Sequence, residues 1–155
     1  MRKYFLNLIF AIWAISSISV NAELLTKESI PEKIMTEIYK RHPDALKIKA
    51  EQKKHFGQEL YAIYIKEGEN NLIEFYRPTG HFFVSGEKIE GFKMLPPEVE
   101  DNLKTAFTTY EIKEAILIPN PNGSGEEYDL SVDSSGNTYS VSVSGKGNII
   151  KKVRY

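Results

Sequence analysis

The chain contains no cysteine among its 155 residues. Disulfide bonds, a thiolate nucleophile, a cysteine-ligated zinc site and a lipoprotein anchor on an amino-terminal cysteine are therefore excluded. Without disulfides the fold must be held by side-chain packing, for which 9 tyrosines and 8 phenylalanines supply large apolar groups. The length suits one compact domain.

An excess of charge of either sign is also absent, because 20 Lys and Arg residues stand against 21 Asp and Glu residues and the net charge is −1. A chain balanced in this way has no general attraction to nucleic acid or to an anionic membrane. Its basic residues do form two local groups, which are Lys49, Lys53 and Lys54, and Lys151, Lys152 and Arg154. Each group indicates either a solvated strand edge, where lysine discourages aggregation, or a contact patch for an acidic partner or envelope polymer.

Sequence patterns of catalysis and metal binding are missing as well. There is no Gly-x-Ser-x-Gly elbow, no Ser-x-x-Lys nucleophile and no His-Glu-x-x-His motif. The histidines, His42, His55 and His81, lack neighbours at metal-ligand spacing, which favours surface positions for all three. The carboxylates of Glu126, Glu127 and Asp129 are interpreted as a solvated strand start rather than a paired acid and base or calcium ligands. These absences predict a protein that is not an enzyme and uses no metal and no cofactor.

The first 22 residues have the order of a secretory signal peptide. Arg2 and Lys3 precede an apolar stretch over residues 4–20, and small residues follow at Val20 and Ala22. This order predicts cleavage after Ala22 and a periplasmic or secreted protein with no stable membrane insertion afterwards. The alternative is an uncleaved anchor, since the stretch approaches the length that spans a bilayer.

The remaining chain shows one pattern twice. Residues 30–39 and 95–107 each begin with an apolar residue and proline and keep apolar residues at helical spacing. Runs typical of strands follow each helix, with turn glycines Gly68 and Gly80 in the first unit and Gly136 and Gly147 in the second. The prediction is an α+β fold of two tandem repeats, 23–90 and 91–155, within one compact domain 23–155. Each repeat is one helix followed by an antiparallel β-meander of about four strands, unless the matches arise by chance.

The two units differ in how their strands alternate. In the second unit Tyr128, Leu130 and Val132 alternate with polar residues, and the strand around Ser140 and Ser142 repeats the alternation, which predicts one buried and one wet face. In the first unit the strands near 60–65 and 72–76 are apolar on both faces. The surplus face either packs against another part of the chain, the other repeat included, or forms an exposed aromatic surface for a partner. The candidate partner-binding aromatics are Tyr61, Tyr64, Phe75 and Tyr76.

Residues 30–39, 64–68, 76–80, 95–107 and 128–147 together give the chain a resemblance to the PepSY-like family related to the β-lactamase-inhibitor protein (BLIP-like) fold. The resemblance implies an extracytoplasmic binding protein with a curved sheet surface, which in the inhibitor branch occupies an enzyme's substrate cleft together with hairpin loops. By position the inserting loops would be 67–71 and 133–137, which adds Glu67, Glu69 and Asn70 to the candidate contacts. The chain departs from the inhibitors by lacking their disulfides.

The sequence therefore predicts an exported non-catalytic binding protein of the PepSY-like or BLIP-like type. It would act as a hydrolase inhibitor or protein-interaction module through its aromatic sheet face. The expected partner is another extracytoplasmic protein, with a hydrolase among the candidates. The alternative is a small-ligand or metal-binding envelope protein with a pocket between helix and sheet.

Overall fold

The computed structural model describes residues 24–155, so the predicted signal peptide and its cleavage site lie outside the described residues. The helices are α1 (Glu32–Arg41) and α2 (Pro97–Ala106), and short 3₁₀ turns lie at Lys27–Ser29 and Phe92–Met94. The strands are β1 (Lys47–His55), β2 (Gln58–Glu67), β3 (Asn70–Tyr76), β4 (Phe82–Lys88), β5 (Glu111–Pro119), β6 (Glu126–Ser134), β7 (Asn137–Ser144) and β8 (Ile149–Arg154). All eight form one antiparallel sheet in chain order, which confirms the α+β class with antiparallel strands.

Both helices form where the sequence places apolar residues four apart. Ile34 and Ile38 of α1 and Val99 and Leu103 of α2 are buried, since a four-residue spacing puts both side chains of a pair on one face. Helix α1 ends at Arg41, just before the segment in which Pro43 disfavours helical geometry. No helix among residues 24–155 has the length and apolar character needed to cross a bilayer.

Each helix packs on one face of the sheet and forms its own core. Helix α1 covers the first half, where its isoleucines meet Ile63, Ile65 and Tyr76. Helix α2 covers the second half in the same way, on Leu130 and Val141. The face of the sheet that carries the helices is called the outer face here.

A third core lies on the opposite, inner face and contains no helix residue. Its buried members come from both halves and are Leu60, Ala62, Phe75, Phe83, Ile116 and Ile118. The inner faces of the two halves are therefore packed against each other. At the seam, β4 and β5 share only two residue pairs, Glu87 with Leu117 and Lys88 with Ile116.

The sheet must curl strongly for this contact to exist. Strands β1 and β7 are six steps apart in the sheet, and at about 4.8 Å per step a flat sheet would separate them by roughly 29 Å. Yet Lys53 Nζ on β1 lies 2.5 Å from Ser140 Oγ on β7. The curl thus brings the first strand across the inner face of the second half.

Candidate binding cleft

The aromatic residues predicted to face a partner are largely inside the molecule. Phe75 and Tyr76 have 0% of their surface exposed, so the prediction of partner contact is wrong for these two. Phe75 lies in the inner core, and Tyr76 lies under α1. Both faces of the first half are apolar because α1 covers one face and the second half of the sheet covers the other. This is the alternative in which the surplus face packs against another part of the chain.

The other predicted contacts lie nearer the surface. Tyr61 is half-buried beside the α1 core, and Tyr64 is half-buried on the inner face. Glu69 and Asn70 are exposed at the tip of the β2–β3 hairpin, and Glu67 is partly buried there. Their binding role stays a prediction.

Five ionisable side chains form a buried inner ion cluster between the halves, namely Glu51, Lys53, His55, Glu127 and Asp129. His55 Nδ1 lies 2.9 Å from Glu127 Oε2, and His55 Nε2 lies 3.1 Å from Asp129 Oδ1. Lys53 Nζ lies 2.8 Å from Glu51 Oε2 and 3.6 Å from Asp129 Oδ2. Alternating positive and negative groups therefore join β1 to β6 across the inside of the curled sheet.

Neutral groups add hydrogen bonds to these carboxylates. Ser142 Oγ donates to Asp129 at 2.9 Å, and the backbone N–H of Phe56 donates to Glu127 at 3.0 Å. Tyr155 Oη lies 3.0 Å from both carboxylate oxygens of Glu51. Buried charges are stabilised by pairing and hydrogen bonding. Every charge of this set is paired, although Asp129 Oδ2 and His55 Nε2 face their ionic partners without a hydrogen bond.

The inner ion cluster keeps His55 and Asp129 charged. Burial by itself lowers the pKa of His55, but the neighbouring carboxylates of Asp129 and Glu127 outweigh it and raise the pKa to about 9. Burial likewise raises the pKa of Asp129, and the charge of Lys53 with the His55 contact brings it down to about 2. Near neutral pH the cluster thus holds an imidazolium between two carboxylates.

Several surface assignments made from the sequence are wrong at this cluster. His55 is 0% exposed at the end of β1, and Lys53 and Asp129 are also buried. Ser140 and Ser142, predicted to lie on a wet face, are buried beside them. The reason in each case is the curl, which covers the polar face of β6 and β7 with the polar face of β1. His81 is exposed as expected.

The pairing of His55 with carboxylates has the composition of an acid–base site but not its accessibility. Its side chain has no exposed surface, and both ring nitrogens already face carboxylates. Over residues 24–155 no group of three or more potential ligands has an arrangement that could hold a metal ion. The inner ion cluster is therefore a structural link between the two halves of the sheet.

A second buried carboxylate, Glu74, fastens the end of α1 to the sheet. Arg41 Nη2 donates to Glu74 Oε1 at 2.9 Å, and the Tyr76 hydroxyl donates to Glu74 Oε2. His42 Nε2 lies 3.2 Å from the same carboxylate. Burial raises the pKa of Glu74, but these partners outweigh it and lower the pKa overall.

The inner face carries residues in cross-strand rows, because directly opposed residues of antiparallel strands point to the same face. The outermost row is Lys47, Lys66 and Asn71, and it is called the mouth row. The next row inward is Lys49, Tyr64, Ile73 and Gly86. The inner face therefore changes from basic at the mouth row to apolar around Ile73 and Gly86.

A cleft of about 510 Å³ opens along these two rows. Four lysines line it, Lys47, Lys49, Lys66 and Lys88, and all four are exposed. A second cavity of about 370 Å³ shares Lys49, Tyr64 and Glu114 with it and reaches the inner ion cluster. Both volumes lie within the range of small-molecule sites.

Gly86 shapes the floor of this cleft. A methyl group in place of its hydrogen would come within 2.9 Å of Ile116 Cγ2 and 3.0 Å of Phe75 Cε2. The side chains of Ile116 on β5 and Phe75 on β3 therefore occupy the space that a side chain at this position would need. Beside Gly86 the lining of the cleft is apolar, with Ile73 on the neighbouring strand.

Two hairpin tips lie at the mouth end of the cleft. Strands β2 and β6 both run away from the inner ion cluster, because Leu60 is opposite Lys53 and Glu127 contacts His55. Their turns, at 67–70 and 134–137, therefore reach the same end of the sheet as the mouth row. These turns lie within the segments 67–71 and 133–137, which the family resemblance implies as contact loops.

Comparison with known proteins gives structural neighbours only. No family model matches the chain, and no curated protein matches it. Among solved structures, a BLIP-like protein from Bacteroides fragilis superimposes with a TM-score of 0.43 at 17% identity, over 79% of this chain and 84% of that one. A Bacteroides eggerthii protein assigned to the periplasm superimposes with a TM-score of 0.46 at 14% identity, over 80% of this chain and 88% of that one. A DUF2874 family protein from Bacteroides ovatus superimposes with a TM-score of 0.43 at 12% identity, over 80% of this chain and 86% of that one.

The neighbours thus include a protein of the BLIP-like kind that the sequence resembles. At TM-scores below 0.5, these likenesses give no basis for transferring an activity to this chain.

Proposed function

We propose that this chain is an exported, non-catalytic binding protein and that it binds a small ligand in the cleft that strands β1 to β4 form beside β5. The observation that carries the proposal is the cleft of about 510 Å³ with a lysine-lined mouth and an apolar floor. The side chains of Ile34, Ile38, Val99 and Leu103 pack between the helices and the sheet. A smaller cavity of about 350 Å³ lies beside α2 and β5, and the larger, lysine-lined cleft is the site proposed here.

Export is part of the proposal. The charged start, apolar stretch and small residues of 1–22 support a signal peptide cleaved after Ala22. The protein would then act in the periplasm or outside the cell.

We also propose that residues 23–90 and 91–155 are two copies of one unit. Gly80, with φ of 95°, would place a Cβ 2.7 Å from Cβ of Lys33, the second residue of α1. Gly147, with φ of 82°, would place one 2.7 Å from Cβ of Glu98, the second residue of α2. The same close approach in both halves supports a shared origin.

A screen of small molecules by amide NMR tests the proposed binding function. Hits should shift the amides of Lys66, Ile73 and Gly86 in the protein purified after export. Asn71→Trp should abolish these shifts, because the exposed Asn71 stands in the mouth row and an indole there fills the entrance. Asn148→Trp, at an exposed turn before β8, is the matched control and should bind normally. Hits that map elsewhere, or that bind Asn71→Trp unchanged, contradict the proposal.

A second candidate is the predicted interaction with another extracytoplasmic protein, a hydrolase among the candidates. The feature that favours it is the position of both hairpin tips, 67–70 and 134–137, at one end of the sheet. Capture of one defined protein from an envelope extract would support it if Glu69→Lys with Asn70→Lys abolished the capture. Capture that these changes leave intact would place the contact elsewhere.

A further inference from the structure

We infer that the ligand of the cleft is a small amphipathic anion, an acid group carried on an aliphatic or aromatic body. The inference rests on the proposed function and names the ligand class of that same site. It follows from the order of the inner-face rows, in which basic residues come first and apolar residues lie directly behind them.

Charge determines the head group. Four lysines line the cleft against two glutamates, Glu74 and Glu114. Glu74 is already bound to Arg41, and Glu114 lies 2.8 Å from Lys88 Nζ. Within residues 24–155, none of the other three cleft lysines forms a salt bridge. An anion entering the mouth therefore meets ammonium groups that have no carboxylate partner.

The second row determines the body of the ligand. One step behind the mouth row lie the Ile73 side chain, the ring of Tyr64 and the bare backbone of Gly86. Burial raises the pKa of the Tyr64 hydroxyl, so this side chain stays neutral at physiological pH. The row offers apolar contact and no ionised group apart from Lys49 at its edge. A fully polar anion would leave this floor uncovered, whereas an apolar chain would bury it.

The size and surroundings of the mouth favour a small molecule over an acidic protein surface. The neighbouring hairpin tip carries Glu67 and Glu69, and the tip of β6–β7 begins next to Asp133. An acidic protein surface broad enough to cover the mouth would approach these carboxylates and be repelled. A small acid with one hydrocarbon chain can enter between the hairpin tips and reach Lys47 and Lys66 without covering the carboxylates of the tips.

Three ligands with matched parts test the inference by amide NMR on the protein purified after export. Dodecanoate is used below its micelle-forming concentration. Dodecyltrimethylammonium keeps the chain and reverses the charge, and butanoate keeps the head and shortens the chain. We expect saturable shifts at Lys47, Lys66, Ile73 and Gly86 with dodecanoate and at least tenfold weaker binding for each of the other two.

Charge-removing variants give the second arm of the test. Lys47→Gln with Lys66→Gln should raise the Kd for dodecanoate about tenfold, since each exposed charge pair contributes modestly. Lys54→Gln with Lys146→Gln is the matched control, because both residues are exposed and lie outside the cleft lining. Its Kd should stay unchanged. All four sites are solvent-exposed, and the amide spectrum of each variant reports its folding.

Each outcome has one meaning. Equal binding of dodecyltrimethylammonium overturns the anionic head, and equal binding of butanoate overturns the apolar body. Screen hits in the cleft without dodecanoate binding overturn this inference and leave the proposed function standing. Hexaglutamate binding at the mouth without dodecanoate binding also overturns it, in favour of an acidic peptide. If the screen finds no ligand that binds in the cleft, both this inference and the proposed function are contradicted.

Discussion

Replacing His55 with glutamine should remove a pH dependence of stability that the inner ion cluster creates. In the folded protein the pKa of His55 is about 9, against about 6.5 for an unperturbed histidine. A pKa that folding raises stabilises the protein fully below the unfolded value, and the contribution is lost as pH rises through the folded value. The difference of about 2.5 units corresponds to about 3 kcal/mol of unfolding free energy.

The unfolding free energy of the native protein should therefore fall by about 3 kcal/mol between pH 6 and pH 9.5. Asp129 does not contribute in this range, because its pKa of about 2 makes its own stabilisation present above the unfolded value near 3.9 and lost only as pH falls through 2. The pKa of Lys53 is raised by Asp129 and its other neighbours against the effect of burial, so this side chain also stays charged throughout.

Urea unfolding followed by circular dichroism at several pH values measures this directly. His55→Gln carries no titrating group, so its stability should be lower by about 3 kcal/mol at pH 6 and should approach that of the native protein at pH 9.5. His81→Gln, at an exposed position, is the control and should follow the native curve. A native curve that is flat over this range, or one that His55→Gln reproduces, would refute the charged state assigned to the cluster.

Two further predictions concern folding. Lys53→Met leaves the carboxylates of the inner ion cluster without their ammonium partner and should cost about 3–5 kcal/mol in urea unfolding, whereas Lys54→Met, on the exposed face of the same strand, should change stability by less than about 0.5 kcal/mol. Gly57→Ala and Gly80→Ala both place a side chain at positive φ, which costs about 1–2 kcal/mol, but only Gly80→Ala also drives a Cβ to 2.7 Å from Lys33 Cβ. Thermal unfolding should rank Gly80→Ala clearly below Gly57→Ala, and equal midpoints would contradict the close packing of the turn on α1.

Much of the local structure could be predicted because it depends on short-range patterns. Ile34 and Ile38 are spaced for a helix face, and Pro43 limits where α1 can end. The turn glycines Gly68 and Gly136 have φ of 58° and 77°, values that non-glycine residues avoid, so they mark two hairpins from the sequence alone.

The curl of the sheet could not be predicted in this way. Alternation tells which residues share a face, as with Leu60 and Ala62, but not what covers that face. The aromatic residue Phe75 was open to both interpretations for this reason. Contacts between β1 and β7 join residues 87 apart in sequence, and no local pattern specifies them.

The charge patterns of β1 and β6 carry a sequence signal for the inner ion cluster. Along β1, Lys49, Glu51, Lys53 and His55 occupy alternate positions, so their side chains all point to the inner face. Along β6, Glu127 and Asp129 do the same. A row of alternating charge on one strand and a row of carboxylates on another are complementary, which indicates that they pair inside the fold. Each row by itself resembles a solvated strand edge, which is the reason for the wrong surface assignments.

Native mass spectrometry of the protein isolated from its producing cells tests the binding cleft most directly. Wild-type protein and the Asn148→Trp control should each carry a bound small molecule of one mass, and Asn71→Trp should carry none, because its indole occupies the mouth row. The mass and fragmentation of the released molecule should identify an acid. If the wild-type protein isolated in this way carries no adduct, or if Asn71→Trp retains the same adduct, the cleft is not the binding site.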